Sequence, residues 1–305
     1  MTQGQSQTGV SASDVTVVMP AFNEGAHIGK VVADLRAELP DIKVLVVDDG
    51  SCDNTGDQAR AAGAQVITHR RNMGYGAALR TGIHMARTGH IAMYDADGQH
   101  RPCDLAKLMA TADGYDMVVG TRGKDSHREI SSRPGKWFLG KAANMLAGRR
   151  IPDLNSGLRV IRRKVILRYL HLLPQGFSAS TTSTICLLQR GYDVTFVPIT
   201  TVKRQGGKST VKKFGDGFRT IQLMVRLIIL FNPQRFFLPP ALLLIAVGTI
   251  YGLAKAVMHG QGIPQLAVLL VMTGLITGLF GLLAEQISTL RLELFEKDQP
   301  DGSLP

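Results

Sequence analysis

Acidic residues are scarce in this 305-residue chain: 24 Asp and Glu stand against 35 Lys and Arg, a formal charge of +11. A balance of that sign implies an anionic partner, whether nucleic acid, a phosphorylated substrate or an anionic membrane face. Cysteine is nearly absent. Cys52, Cys103 and Cys186 are widely scattered, and an odd number without C-x-x-C spacing argues against a disulfide framework or a thiolate zinc site and for a reducing compartment. Aromatics make up only 6% while glycines number 33, which disfavours a sandwich or a helical bundle and suits a loop-rich α/β protein. The first 13 residues are polar and lack the apolar core of a signal peptide; a disordered tail is expected there. No internal repeat or long low-complexity segment is present.

Charge is also missing from two long stretches near the C-terminus. Phe236 to Ala254 contains none, and after the break His259-Gly-Gln-Gly-Ile263 neither does Pro264 to Ala284. Each run approaches the 20 or so residues that cross a bilayer. A buried core helix is the other reading of such a run. The connecting loop carries no Lys or Arg, whereas Lys203, Arg204, Lys208, Lys212, Lys213, Arg219, Arg226 and Arg235 precede the first run and Arg291 and Lys297 follow the second. Basic flanks mark the cytoplasmic side. The expectation is a multi-pass protein of the cytoplasmic (inner) membrane, with a two-helix hairpin at 235–290 and a cytoplasmic tail at 291–305. Ahead of it, 212–234 is amphipathic, with Phe214, Phe218, Ile221, Val225, Ile228 and Ile229 able to share one side; it can lie on an anionic surface or pack on the preceding domain.

Residues 14–211 alternate short apolar runs with helical spacing. Strands are expected at Val15–Met19 (ended by Pro20), Lys43–Val47, Ala64–Ile67, His90–Tyr94 and Met117–Gly120. Helices are expected at Glu24–Leu39, Asn54–Ala62, Tyr75–Arg87 and Asp104–Ala112. Such alternation implies crossover connections and a mostly parallel, Rossmann-like sheet, whose ligands bind beyond the carboxyl ends of the strands.

Four clusters fall at those ends. Asp95-Ala-Asp97-Gly98 closes an apolar strand; the two carboxylates, one residue apart, can share a hard cation on a diphosphate. An acidic turn uses the same residue types. Pro20-Ala-Phe-Asn-Glu24 leaves the first strand, where Asn23 or Glu24 can cap the helix. Asp48-Asp49-Gly50-Ser51 leaves the second, offering acceptors to a base or ribose. Asn72-Met-Gly-Tyr-Gly76 opens a helix, and its glycines can bring backbone N–H groups to a phosphate.

Together with Gly120-Thr-Arg122, Asp153-Leu-Asn-Ser-Gly-Leu-Arg159, Val197-Pro-Ile199 and Lys203-Arg-Gln-Gly-Gly-Lys-Ser209, this ordered series resembles family 2 glycosyltransferases of the GT-A fold. It is most similar to the branch that makes polyprenyl-phosphate sugars, the dolichyl-phosphate mannose synthases and undecaprenyl-phosphate glucosyltransferases. The resemblance implies metal-dependent, inverting transfer from a nucleotide-diphosphate sugar to a polyprenyl phosphate (undecaprenyl or dolichyl). Pro20, Phe22, Glu24 and Asp49 would cradle the nucleotide, with Asp48 supporting the turn and Asp95 beside it. Asp95, Asp97 and Gln99 would hold Mg²⁺ or Mn²⁺. Arg122, Arg133 and Lys136 would meet the acceptor phosphate. Asp153 would position reacting groups, making Asp97, Asp153 and Arg122 the catalytic set, while Arg159 would lie near sugar and phosphates. Arg204 and Lys208 would cover the nucleotide. Many relatives carry an acidic residue in the helix after a Gly-Phe pair; here Gly176 to Thr184 has none, and no carboxylate occurs between Asp153 and Asp193. The sugar, the nucleotide base and homo-oligomer formation are left open.

Other classes fit less well. A processive polysaccharide synthase needs Gln-x-x-Arg-Trp, and the single tryptophan, Trp137, lies in no such motif. A sugar-nucleotide pyrophosphorylase needs a glycine-rich signature where Met19-Pro20 stands. Nucleic-acid binding would not cluster the basic excess beside apolar spans. Transfer to another lipid such as diacylglycerol, or a non-catalytic membrane scaffold, stays compatible with the pattern.

Overall fold

The computed structural model describes residues 9–123, 151–154, 156–174, 179–202, 225, 229, 232–259 and 262–297. The chain forms two compact units, Met1–Lys213 and Phe214–Pro305.

In the first unit, β1 (Val15–Ala21), β2 (Lys43–Asp48), β3 (Gln65–Thr68), β4 (His90–Met93), β5 (Met117–Arg122), β6 (Arg159–Arg162) and β7 (Val194–Ile199) form one sheet of order β3-β2-β1-β4-β6-β5-β7. All neighbours run parallel except β6, which is antiparallel to both β4 and β5. The connecting helices are α1 (Ile28–Glu38), α2 (Thr55–Ala61), α3 (Tyr75–Met85) and α4 (Pro102–Thr111), then α5 (Arg163–Arg168) and α6 (Ala179–Gln189). Every residue of β1 is buried, as two-sided coverage of a parallel sheet requires. Ile28, Val32 and Leu35 of α1 and Leu105 and Leu108 of α4 pack on it in one core. Gly82 of α3 has no room for a side chain, because a Cβ there would overlap Val18; α3 therefore lies close on the strands.

Differences from expectation have local causes. β1 continues through Pro20 because β4 pairs with it only as far as Val18, which opens one side of the strand where a residue without N–H is tolerated. The expected cap fails: α1 starts at Ile28, and its N-cap residue His27 makes no side-chain cap bond. Residues 9–13 are tied to the domain rather than loose, since the Val10 N–H donates to the Met109 carbonyl at 3.0 Å; residues 1–8 lie outside the described residues. Strand β6 shows no alternation, and the sequence pattern did not reveal it.

Asp104 anchors α4. Its side chain is 1% exposed and accepts from Arg101 Nε (3.0 Å), Lys107 Nζ (3.1 Å) and the Thr200 N–H (3.3 Å). Burial opposes its charge, but these donors hold the carboxyl below its ordinary 3.8. Asp104→Ala is expected to cost about 2 kcal/mol, the scale of hydrogen bonds to a charged group, read as a lower thermal midpoint. Because the folded-state pKa is depressed, this contribution is complete above the ordinary carboxylate value and is lost as pH falls through the lowered one.

The second unit contains α7 (Gln234–His259) and α8 (Gln265–Lys297). Both are long and apolar enough to cross a membrane, and only 17% of each span is buried, unlike a core helix. Leu243, Ile250, Val257 and Leu269 stand exposed. Within the pair, Gly248 approaches the Ala267 carbonyl and Gly274 that of Ala241, where added Cβ atoms would come within 2.9 and 2.8 Å; small residues bring spanning helices together in this way. Gln234 hydrogen-bonds Glu285 at one end. Of the expected amphipathic segment 212–234, most lies outside the described residues, though 225 and 229 are helical.

Candidate active site

Three loops at the carboxyl ends of β1, β2 and β3 are laced together. The Asn23 N–H donates to Ser51 Oγ (3.0 Å), and Asn23 Oδ1 accepts from the Cys52 N–H (2.9 Å). The Glu24 N–H donates to Thr55 Oγ1 (2.9 Å) and the Gly25 N–H to Asp53 Oδ2 (3.0 Å). Asn23 holds φ 55°, a left-handed conformation that asparagine tolerates better than most residues. Gly50, at φ +73°, is pressed against the third loop: a Cβ there would come within 2.6 Å of the Arg71 carbonyl carbon. Pro20 is buried, and Phe22 is 37% exposed at the loop edge.

The two carboxylates at the end of β2, Asp48 and Asp49, serve this lacing. Asp48 Oδ1 accepts the Ser51 N–H at 3.0 Å. Asp49, 3% exposed, accepts from His69 Nδ1 (2.7 Å) and from the Met73 and Gly74 N–H groups (2.9 and 2.7 Å). The glycine turn expected to offer N–H groups to a phosphate therefore gives two of them to Asp49. His69 also meets Thr81 Oγ1 at 2.9 Å through Nε2, and its part was not apparent from sequence.

Beyond β4 the chain enters the acidic turn. Asp97 Oδ1 accepts the Gln99 N–H at 3.1 Å, and Gly98 takes φ +71°. Asp95 is held on both oxygens, by Tyr75 Oη at 2.9 Å on Oδ1 and by His100 Nε2 at 3.3 Å on Oδ2. Burial disfavours the Asp95 charge, yet the His100 contact, the Tyr75 hydrogen bond and the positive Arg159 hold its carboxyl below the ordinary range. Gly157 lies against this carboxylate so closely that a Cβ would overlap Asp95 Oδ2. Gly157→Ala is expected to swing Asp95 out of these bonds, read as loss of the Tyr75 and His100 contacts in a crystal structure of the variant, with the fold retained by circular dichroism.

Across the sheet, Arg122 at the end of β5 grips Asp153 in a two-pronged pair: Nε to Oδ2 at 2.6 Å and Nη2 to Oδ1 at 2.8 Å. The hydrogen bond to Asp153, outweighing burial, raises the Arg122 pKa above its ordinary value. Arg122 is 37% exposed and Asp153 12%. Arg159 is placed differently from expectation. It is fully buried, and its guanidinium donates to the Ser180 carbonyl (2.6 Å), Ser183 Oγ (2.9 Å), Thr184 Oγ1 (3.0 Å) and the Ser156 carbonyl. Burial lowers its pKa to about 10, against the pull of Tyr75, Asp153 and Asp95. It thus lies behind the site, its guanidinium held against the hydroxyl-rich α6 that lacks the acidic residue of many relatives. The Val202 N–H donates to the Gln99 carbonyl at 3.0 Å, so the chain leaves the described residues beside the acidic turn. Arg133, Lys136, Arg204 and Lys208 lie outside the described residues.

Among the described residues no three His, Cys, Asp or Glu side chains gather as a ready ligand set. Mg²⁺ on a nucleotide does not need one, since it uses one or two carboxylates plus substrate phosphates and waters. Asp95 and Asp97 fit that role.

The family model for glycosyl transferase family 2 matches residues 16–170, which span the sheet from β1 to β6 and hold every one of these loops. The chain belongs to glycosyltransferase family 2. A second model, the GtrB C-terminal hairpin, matches residues 232–290. Among curated family members, the polyprenol monophosphomannose synthase of Mycolicibacterium smegmatis is 31% identical over 68% of this chain and 84% of its own. The dolichyl-phosphate hexose transferase of Haloferax volcanii is 30% identical over 67% of this chain and 89% of its own. Among solved structures, glucosyl-3-phosphoglycerate synthase from Mycobacterium tuberculosis, crystallised with Mn²⁺, UDP and phosphoglyceric acid, aligns with TM-score 0.56 at 19% identity over 75% of this chain and 83% of that one. The protein is a glycosyltransferase of GT-A fold carrying two C-terminal apolar helices.

Proposed function

We propose that this glycosyltransferase moves a sugar, with inversion, from a nucleoside-diphosphate sugar to a polyprenyl phosphate presented at the cytoplasmic face of a membrane. The observation that carries the reading is the union of a family 2 strand-end site with a hairpin of the GtrB type in one chain. Relatives named for polyprenol, dolichyl and undecaprenyl phosphates support the acceptor class. UDP with Mn²⁺ or Mg²⁺ in structural neighbours supports the donor and the cation.

The residues divide the work. Phe22, Pro20 and Glu24 line the nucleotide side, braced by Asp48 and Asp49. Asp97, with Asp95 and Gln99, holds a divalent cation, which when bound neutralises the leaving diphosphate. Arg122 faces phosphate and is kept in line by Asp153. Both Asp153 oxygens are engaged by Arg122, so Asp153 acts by position rather than as a proton acceptor. A phosphate monoester is already anionic at neutral pH and needs no strong base. Arg204 and Lys208 cover the nucleotide, while Arg133 and Lys136 meet the acceptor phosphate.

Membrane fractions containing the protein, supplied with each of several nucleotide sugars, are expected to form an acid-labile glycolipid only when polyprenyl phosphate is added. Product formed without polyprenyl phosphate would assign the enzyme to another lipid acceptor.

A further inference from the structure

Asp95 is held by two donors of different origin. His100 belongs to its own turn, only five residues on. Tyr75 comes from the start of α3, twenty residues earlier, and reaches Oδ1 at 2.9 Å. That helix start is itself fixed from the nucleotide side: the Met73 and Gly74 N–H groups are bound to Asp49, and Gly74 turns the chain at φ +96° immediately before Tyr75. An unbroken path thus runs from Asp49 through the turn at Gly74 and the Tyr75 phenol to the Asp95 carboxylate.

We propose that Tyr75 is a positioning residue, a neutral clamp that fixes the lone-pair direction of Asp95 toward the bound cation and couples it to the nucleotide-side loop. This role rests on the reading of Asp95 and Asp97 as the cation site. Neutrality matters. A lysine or arginine at this place would orient Asp95 but also pair with its charge and compete with the metal. A phenol engages one lone pair of Oδ1 and leaves the negative charge intact. A phenol is protonated at neutral pH, and its hydroxyl donates to Asp95 Oδ1. Outer partners that orient a ligating side chain typically govern metal affinity by about 10–100-fold.

The test is Tyr75→Phe in the full-length protein, which keeps the ring and removes only the hydroxyl. Mn²⁺ titrated into protein with UDP, and separately with GDP, is followed by the electron paramagnetic resonance signal of the free ion. The expected result is roughly tenfold weaker Mn²⁺ affinity, unchanged nucleotide binding without metal, and a fall in kcat larger than any change in donor KM. Unchanged Mn²⁺ affinity in a folded Y75F protein overturns the clamp alone. A wild-type protein that binds no Mn²⁺ with either nucleotide overturns both the clamp and the metal reading. Should Y75F lower the thermal midpoint, the titration is repeated at a temperature where circular dichroism shows the variant folded. Retained Mn²⁺ affinity under those conditions likewise overturns the clamp.

Discussion

Asp97→Asn is expected to reduce sugar transfer about a thousandfold, the equivalent of about 4 kcal/mol of transition-state stabilisation. The substitution separates charge from shape. Asparagine keeps an oxygen that can accept the Gln99 N–H, the bond that shapes the turn at 3.1 Å. The backbone at Gly98, with φ +71°, is untouched. What disappears is one of two negative charges able to hold a cation on the departing diphosphate, and charge stabilisation at the leaving group is where a metal contributes most. Turnover of purified D97N, measured beside its thermal midpoint, decides the matter: a folded variant with near-normal turnover removes Asp97 from the metal site.

Arg122→Ala is expected to cost about 100- to 1,000-fold in kcat/KM, the range seen when one preorganised donor to developing charge is removed. The side chain sits at the end of β5 and is neither fully buried nor freely mobile, because Asp153 grips it through two hydrogen bonds of 2.6 and 2.8 Å. That grip makes the arginine ready before substrate arrives. Arg122→Lys, which keeps the charge but not the fork, is expected to fall between the wild type and R122A. Asp153→Asn removes the charge and one acceptor of the grip while leaving the Arg122 guanidinium in place. If the pair acts as one unit, R122A/D153N is no slower than R122A alone. An additive double mutant would show that Asp153 contributes by a separate route.

Several parts of the site can be read directly in the chain. Strand ends announce themselves where an apolar run meets Asp-Asp-Gly or Asp-Ala-Asp-Gly, since charged residues cannot follow a buried strand far into the core. The two long apolar helices are equally plain, because about twenty residues without charge match the length that crosses a bilayer. Strand β6 was hidden for a physical reason. Its inner residues are buried from both sides, and its first residue is an arginine, a type that rarely fills such a place. Arg159 fits only because the hydroxyls and carbonyls of a helix more than twenty residues later, together with Ser156, accept its hydrogen bonds.

Residue type and order therefore determined the fold class, the strand-end location of the chemistry and the apolar hairpin, because each depends on local periodicity and on where charge can be solvated. Tertiary structure decided how the carboxylates divide their tasks. Asp49 is spent on holding a loop, Asp153 on holding Arg122, and Asp95 is shared between Tyr75 and His100. Hydrogen bonds between segments twenty or more residues apart leave no period in a sequence, and only packing brings their partners within reach.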